Sequence, residues 1–203
     1  MRLLDLFCGG GGCSAGYARA GFDVTGVDIE PHPGYPFDFV QADAMTYPLD
    51  GFDAIHASPP CKFTTKTGWA YHFGYHANHD DLLTPTRARL VEHGVPWVIE
   101  NVVGAPMRVD VQLCGSMFGL GVRRHRWFEA GFPLSPWVLS CNHSERVVSP
   151  HGNPNRFKGT GKQWAAAMGI DWMTTAELAQ AIPPAYTEWI GHQLRAHLEA
   201  VAA

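Results

Sequence analysis

The sequence predicts a Rossmann-like α/β fold, in which a mostly parallel sheet carries helices on both faces. Residues 2–7 form a short apolar strand that runs into consecutive glycines, and a helical stretch follows at 13–20. The next apolar run ends at Asp28. Further strand-like runs follow at 40–43, 52–57 and 96–102. Strands that alternate with helical patterns are typical of a parallel sheet covered on both sides.

Composition limits the class of protein. The chain has 203 residues, 46% of them hydrophobic and 17% charged, which predicts a packed globular protein rather than a disordered one. A net charge of −4 argues against indiscriminate coating of nucleic acid, although a local basic cleft remains compatible with it. The odd set of five cysteines fits free thiols in a reducing compartment. With neither a secretory signal nor a membrane-length apolar run, we expect a soluble cytoplasmic protein with no membrane partner.

Two stretches break the regular pattern. Residues 62–80 are polar, aromatic and histidine-rich, which indicates a long loop of functional rather than structural importance. Residues 133–161 are rich in proline and glycine and are expected to be irregular. Residues 162–182 and 186–200 are predicted to be helical, with Pro183 and Pro184 between them. We therefore divide the chain into a core (1–132), an irregular segment (133–161) and C-terminal helices that complete the core (162–203).

The first half of the chain suits an adenosine cofactor. The run Phe7-Cys8-Gly9-Gly10-Gly11 allows a sharp turn after the first strand, although a purely structural glycine turn would look the same. Asp28, at the end of the second strand, can bind ribose hydroxyls. Asp43, at the end of the third, can accept a hydrogen bond from an adenine amino group. These residues do not say which adenosine cofactor binds.

Three further features could carry chemistry. Cys61 follows Ser58-Pro59-Pro60 at a strand end, where a rigid backbone would present a nucleophilic thiol, unless Cys61 is a buried small hydrophobe. Glu100 ends the next strand, as either a proton donor or an exposed polar residue. Alternation along a strand would aim Arg124 and Arg126 at one ligand, unless both are simply solvated.

Together these motifs resemble the cytosine-5 DNA methyltransferase family. Residues 4–11 are similar to its cofactor loop, Pro60-Cys61 to its nucleophile motif, Glu100-Asn101-Val102 to its Glu-Asn-Val motif, and Arg124-His125-Arg126 to its Arg-x-Arg pair. The resemblance implies an S-adenosylmethionine-dependent methyltransferase fold with S-adenosylmethionine as cofactor. The cofactor-binding residues it implies are Phe7, Gly9, Gly11, Asp28, Ile29, Asp43 and Pro60.

The resemblance also implies a mechanism on double-stranded DNA. The Cys61 thiolate adds to carbon-6 of a cytosine while Glu100 stabilises the protonated ring nitrogen, and carbon-5 then accepts the methyl group. Arg124 and Arg126 hold the base. The target must be flipped out of the duplex, and the loop at 62–80 is a candidate lid over it.

The chain departs from the family pattern at several places. Lys62, Val122 and residues 179–184 stand where the family commonly has other residues, so cofactor contacts from the last of these are not carried over. The segment 133–161 is too short for an independent target-recognition core. We therefore expect relaxed or very short sequence specificity, as in a compact enzyme of phage type working in a bacterial or phage-infected cell.

Other functions remain open. Ser58-Pro59-Pro60-Cys61 is also similar to the Pro-Pro-aromatic motif of amino-methyltransferases acting on N4 of cytosine or N6 of adenine, and RNA could replace DNA as the cytosine-5 substrate. A catalytically inactive regulator that retains the cofactor site is a further alternative. A zinc-stabilised binding module could use histidines and nearby acid and thiol groups; its candidate ligands are His72, His76, His79, Asp80, Cys141 and His143. Because their spacing fits no strong zinc signature, we expect no metal.

Overall fold

The computed structural model describes residues 1–60, 81–135, 140–149 and 159–203, and its centre is a seven-stranded sheet. The strand order is β3-β2-β1-β4-β5-β7-β6. The strands are β1 (Arg2–Leu6), β2 (Asp23–Asp28), β3 (Asp38–Gln41), β4 (Ala54–Ala57), β5 (Trp97–Val102), β6 (Val111–Leu113) and β7 (Arg126–Ala130). Cys61 and the predicted loop at 62–80, which is the candidate lid and contains His72, His76 and His79, lie outside the described residues. Parts of the segment 133–161 also lie outside them.

Five strands of the sheet are parallel and two are not. β1 pairs in parallel with both β2 and β4, β2 with β3, and β4 with β5. β7 runs antiparallel to β5 and to β6. The sequence prediction of a mostly parallel sheet is confirmed. Because the chain leaves β1 in one direction and returns at β4 on its other side, the strand order reverses between these two, which is where open α/β sheets bind ligands.

Helices flank the sheet; the helix at Leu83–His93 was not predicted, and the predicted C-terminal helices differ at two places. The helices are α1 (Gly12–Arg19), α2 (Leu83–His93), α3 (Gly161–Met168), α4 (Thr175–Gln180) and α5 (Pro184–Ala202), with a short 3-10 helix at Gly115–Phe118. The helical stretch predicted at 162–182 is two helices, because Gly169 ends α3 with φ 69° and Thr174 caps α4 through a capping box with Glu177. The last helix begins at Pro184 rather than Tyr186, since proline is well suited to the first helical turn.

The two faces of the sheet bury separate sets of side chains. Leu3 points to the face covered by α1 and α5, and Leu4 points to the face covered by α2. α1 and α5 approach closely because glycine stands at the contact: a Cβ on Gly16 would collide with the Thr187 hydroxyl and the Pro184 carbonyl. Helices therefore cover both faces, as the sequence predicted.

A third buried cluster forms among the C-terminal helices. It joins Val122, just before β7, to Trp164 and Met168 of α3 and to Leu178 of α4. Among the residues that the structure describes, no helix is both long and apolar enough to cross a membrane.

Candidate active site

The glycine run after β1 forms a cradle at the point where the strand order reverses. Phe7, Gly9 and Gly11 all have positive φ, at 57°, 51° and 85°. This conformation is costly for phenylalanine and natural for glycine, and strained backbone of this kind tends to cluster at ligand sites. A Cβ on Gly9 would meet nothing within 4 Å, so the cradle borders open space.

Asp28 is fixed against this cradle. Its Oδ2 accepts a hydrogen bond from Gly9 N at 2.9 Å and its Oδ1 accepts one from Glu30 N at 3.0 Å. Each carboxylate oxygen keeps a further lone pair, so the carboxylate can still accept hydrogen bonds from a ligand's hydroxyl groups. The predicted role of Asp28 as a ribose ligand therefore fits its geometry.

The other predicted cofactor residues of this half lie at the same sheet edge. Ile29 is 65% exposed, which is unusual for a large aliphatic side chain and leaves its surface available to a ligand. β3 ends at Gln41, so exposed Asp43 stands two residues beyond the strand rather than at its end. Ala42 N donates to the Asp28 carbonyl at 3.0 Å, which holds the start of this turn beside β2.

The C-terminal segment packs against the cradle, a contribution that sequence reasoning did not assign. Trp172 Nε1 donates to the Gly10 carbonyl at 2.8 Å, and a Cβ on Gly10 would lie 3.1 Å from Met173. His32 Nδ1 lies 2.9 Å from Glu177 Oε1. These contacts join positions more than a hundred residues apart, so no local pattern could have revealed them.

β4 delivers Ser58, Pro59 and Pro60 next to the cradle. Ser58 N donates to the Leu6 carbonyl at 3.1 Å, and Asn101 Nδ2 donates to the Pro59 carbonyl at 3.0 Å. The segment that leads into Cys61 is therefore held from both neighbouring strands. Cys61 itself lies outside the described residues, and its position as the nucleophile stays a prediction.

Glu100 is a buried acid paired with Arg126. Arg126 Nε lies 2.9 Å from Glu100 Oε1, and the two side chains are only 12% and 8% exposed. Burial raises the pKa of the Glu100 carboxyl above its usual value, although the Arg126 guanidinium acts to lower that pKa. A carboxyl group with a raised pKa retains a proton nearer to neutral pH, which suits it to general acid chemistry.

Arg124 occupies a different environment from Arg126. β7 begins at Arg126, so the expectation that one strand aligns the two arginines is wrong. Arg124 is 1% exposed, and its Nη2 donates to the Ala179 carbonyl at 3.0 Å while its own carbonyl accepts from Tyr186 Oη at 2.6 Å. Arg126 thus pairs directly with Glu100, whereas Arg124 is hydrogen-bonded to the C-terminal helices, and its charge also acts to lower the pKa of Glu100.

A buried polar chain supports the strand ends, and the sequence analysis missed it. His56 is fully buried on β4, with Nδ1 at 2.9 Å from Tyr17 Oη and Nε2 at 3.0 Å from Ser58 Oγ. Burial lowers the pKa of His56 to about 3, so its ring is neutral and can relay hydrogen bonds. The one available signal was a histidine inside the apolar run 52–57.

Asp5 is a second buried group without a predicted role. It is fully buried on β1 and accepts a hydrogen bond from Ser14 Oγ, whose hydroxyl in turn accepts one from Tyr35 Oη at 2.7 Å. Burial raises the pKa of Asp5 to about 7. The carboxyl is thus a buried titratable group on the strand that leads into the cradle.

Comparison with solved structures identifies the fold. A crystal structure described as a DNA modification methyltransferase encoded within an E. coli prophage superposes with a TM-score of 0.67 at 16% identity, over 98% of this chain and 99% of that one. The Dnmt2 methyltransferase of S. pombe matches with a TM-score of 0.58 at 12% identity over 100% of both chains. Spodoptera frugiperda DNMT2 gives 0.59 at 12% identity over 98% of this chain and 99% of that one.

The chain has the fold of these methyltransferase structures. The match extends over nearly all of each chain, and the predicted Rossmann-like fold class is confirmed. No protein-family model and no curated protein matches the sequence.

Proposed function

We propose that the protein transfers a methyl group from S-adenosylmethionine to carbon-5 of cytosine in DNA, with Cys61 as the covalent nucleophile. The observation that carries this proposal is the buried Glu100–Arg126 pair beside the segment that leads into Cys61. A carboxyl whose pKa is raised by burial and a cysteine thiolate are the two groups needed to add sulfur to a pyrimidine ring and protonate its nitrogen.

The cradle fits the proposed cofactor. Gly9 and Gly11 give the loop after β1 its positive-φ backbone conformation. Asp28 is oriented by two backbone donors, and Ile29 presents an exposed apolar surface. In this proposal Asp28 holds the ribose hydroxyls, Ile29 packs on the adenine, and Asp43 accepts from the adenine amino group. When bound, S-adenosylmethionine supplies the methyl group as an electrophilic sulfonium substituent. Phe7 and Pro60 border the cofactor from the two strand ends.

The residues of the chain make carbon-5 reactive. The Cys61 thiolate forms a bond to carbon-6 of the cytosine, and Glu100 protonates the ring nitrogen, so that electron density builds at carbon-5. After methylation, loss of the carbon-5 proton re-forms the double bond and expels the Cys61 thiolate. The ring nitrogen then returns its proton to Glu100 and the carbon-5 proton is released to water, so that the thiolate and the protonated carboxyl are both restored.

Arg126 positions both the Glu100 carboxyl and the target cytosine. Its guanidinium already pairs with Glu100, and its remaining N–H donors can reach the carbonyl oxygen of a cytosine. Arg124 supports this arrangement from the side of the C-terminal helices. Because these groups lie at strand ends inside the protein, the target base must leave the duplex to reach them.

Target recognition would be limited. The segment 133–161 is short, and its residues 140–146 are exposed, so it adds little buried surface for reading bases. We propose that it contacts DNA with relaxed or very short sequence preference, while residues 1–132 and 162–203 form the catalytic core.

Nucleoside mass spectrometry after incubation with DNA and labelled S-adenosylmethionine tests the reaction. We expect 5-methylcytosine, and we expect DNA containing 5-fluorocytosine to trap the protein covalently, because fluorine cannot leave as a proton does. DNA with unmodified cytosine is the matched control and should give no lasting adduct. The variant Cys61→Ser should lose both product and trapping.

Other methylated products would identify a different reaction. N4-methylcytosine or N6-methyladenine without trapping would assign the amino-methyltransferase alternative, and methylation of RNA but not DNA would assign the RNA alternative. Sequencing of treated DNA that revealed a long defined recognition site would overturn the relaxed specificity.

A further inference from the structure

Four side chains of types that bind metals converge where β6 ends and β7 begins. Cys114 follows β6, His125 precedes β7, and Cys141 and His143 belong to the irregular segment. One ligand atom from each of the four lies within 4.8 Å of every other. The convergence joins three separate parts of the chain, so it is a product of the fold rather than of a local sequence motif.

Two distances within this cluster match the spacing of ligand atoms around a tetrahedral metal ion. Cys114 Sγ lies 3.4 Å from His143 Nε2, and Cys141 Sγ lies 3.6 Å from His125 Nε2. A zinc ion with bonds of about 2.3 Å to sulfur and about 2.0–2.1 Å to nitrogen spaces its neighbouring ligand atoms by roughly 3.4–3.8 Å. The two imidazole rings stand at 78° to each other with centroids 5.0 Å apart, so they meet edge to face rather than stacked.

Groups around the cluster orient the ligands. Ser116 Oγ lies 3.3 Å from Cys114 Sγ, and the same hydroxyl accepts a hydrogen bond from Asn142 N at 3.2 Å. Arg123 Nη2 donates to the carbonyls of His143 and Glu145. Contacts of this kind fix the ligands of metal sites from outside the coordination shell.

We propose that Cys114, His125, Cys141 and His143 bind one structural Zn²⁺ ion. Two thiolates and two imidazoles in tetrahedral array are the ligand set that zinc prefers, and four protein ligands leave no open position for catalysis. This differs from the expectation of no metal and from the histidines considered in the sequence. Cys141 and His143 were in that set, but their partners here are Cys114 and His125.

The ion would stabilise the described residues 140–149, which bury few apolar side chains. Within the described part of 140–149, residues 140–146 are exposed and the regular pairing consists of one bridge, between Val148 and Val122. A segment with so little buried apolar surface needs another source of stability, and a structural metal is a common one. His125 stands immediately before Arg126, so the ion would clamp this segment directly to the strand that carries the Glu100 partner.

Metal analysis of the full chain tests the site independently of any methyl transfer. Protein purified without an immobilised-metal step should contain one zinc ion per chain. Replacement by Co²⁺ should give tetrahedral visible bands and a thiolate-to-cobalt charge-transfer band. Because this spectrum is measured on the unsubstituted chain, it does not depend on how a variant folds.

Substitutions then identify the ligands. Cys141→Ser and His143→Gln alter exposed residues, and each should weaken zinc binding by about tenfold or more. His93→Gln, on α2, is the matched control and should keep the full metal content. Three results would overturn the proposal: no zinc uptake and no cobalt spectrum, full zinc retention in the Cys141→Ser/His143→Gln double variant, or a disulfide between Cys114 and Cys141 in freshly purified protein.

Discussion

Asn101 Nδ2 donates to the Pro59 carbonyl across 3.0 Å, which ties the end of β5 to the segment that leads into Cys61. The same side chain accepts from Val102 N through Oδ1 at 2.9 Å. Both partners lie on the backbone, so the amide is held in one orientation. Asn101 is therefore a positioning residue for the proposed nucleophile and itself need not touch substrate.

Loss of this hydrogen bond should slow the reaction without weakening cofactor binding. We expect Asn101→Ala to lower kcat by about 10–100-fold, because a small misplacement of the thiol has a large effect on rate. Asn101→Asp, which keeps the acceptor but loses the donor, should behave similarly. The measurements are the rate of 5-fluorocytosine trapping and the Kd for S-adenosylmethionine. Equal losses of trapping rate and of affinity for S-adenosylmethionine would instead indicate that the substitution disrupts the whole site.

Glu100 should control the alkaline side of the activity profile. Its raised pKa keeps it protonated to higher pH than a free glutamate, so activity should fall as pH rises through that pKa. Glu100→Gln removes the titrating group, and we expect kcat to fall by about 10²–10⁴-fold with loss of this alkaline limb. Glu92→Gln, at an exposed position of α2, is the control. An unchanged profile in Glu100→Gln would remove Glu100 from the chemistry.

Asp28 should be required for cofactor affinity, and β2 supplies a matched control on the same strand. Asp28 ends β2 against the cradle, whereas exposed Asp23 begins it at the opposite sheet edge. We expect Asp28→Ala to raise the Kd for S-adenosylmethionine by about tenfold or more, as for loss of charged hydrogen bonds. Calorimetry should show Asp23→Ala binding normally. Similar Kd values for the two variants would contradict the assignment.

Asp5 should make stability depend on pH. Burial raises its pKa from 3.8 to about 7, so between these values the folded state holds a proton that the unfolded chain has released. Its contribution therefore lowers the free energy of unfolding as pH rises from about 4 to 7, with a slope of up to about 1.4 kcal/mol per pH unit.

Comparison with a variant isolates this contribution. His56, with its pKa lowered to about 3, has the opposite slope between pH 3 and 6.5, so the wild-type curve alone is not diagnostic. Asp5→Asn should gain stability relative to wild type as pH rises through this range, as measured by urea unfolding at several pH values. A constant difference between the two proteins would show that Asp5 does not titrate there.

Gly16 should be intolerant of any side chain. A Cβ there would collide with Thr187 and Pro184 at the contact between α1 and α5. We expect Gly16→Ala to destabilise the protein by about 1–3 kcal/mol, since overpacking forces backbone shifts. Gly94→Ala is the comparison variant, because a Cβ there meets nothing within 4 Å although φ is 84°. Its loss of stability measures backbone strain without a steric collision. A smaller loss in Gly16→Ala than in Gly94→Ala would contradict the proposed contact.

The fold was predictable because its signals are local. Apolar runs of strand length, glycines after β1 and acids at strand ends can be recognised within a few residues, and they placed β1, β2, β4 and β5 close to their observed positions. Two elements, α2 and β6, were not predicted, and other errors were at boundaries, as with the single helix predicted at 162–182 and the strand predicted through Arg124. Caps and chain reversals decide such boundaries, and their effect depends on tertiary contacts.

The sequence by itself determined β1, α1, β2, β4 and β5 and their order, and it placed Asp28 at the end of β2 and Glu100 near the end of β5, because hydrophobic periodicity is a property of neighbouring residues. Only the tertiary structure decided that Arg126 rather than Arg124 pairs with Glu100, that Trp172 packs on Gly10, and that two cysteines and two histidines meet. Those contacts join residues far apart in the chain. Their geometry arises from strand order, register and helix packing, which no local pattern contains.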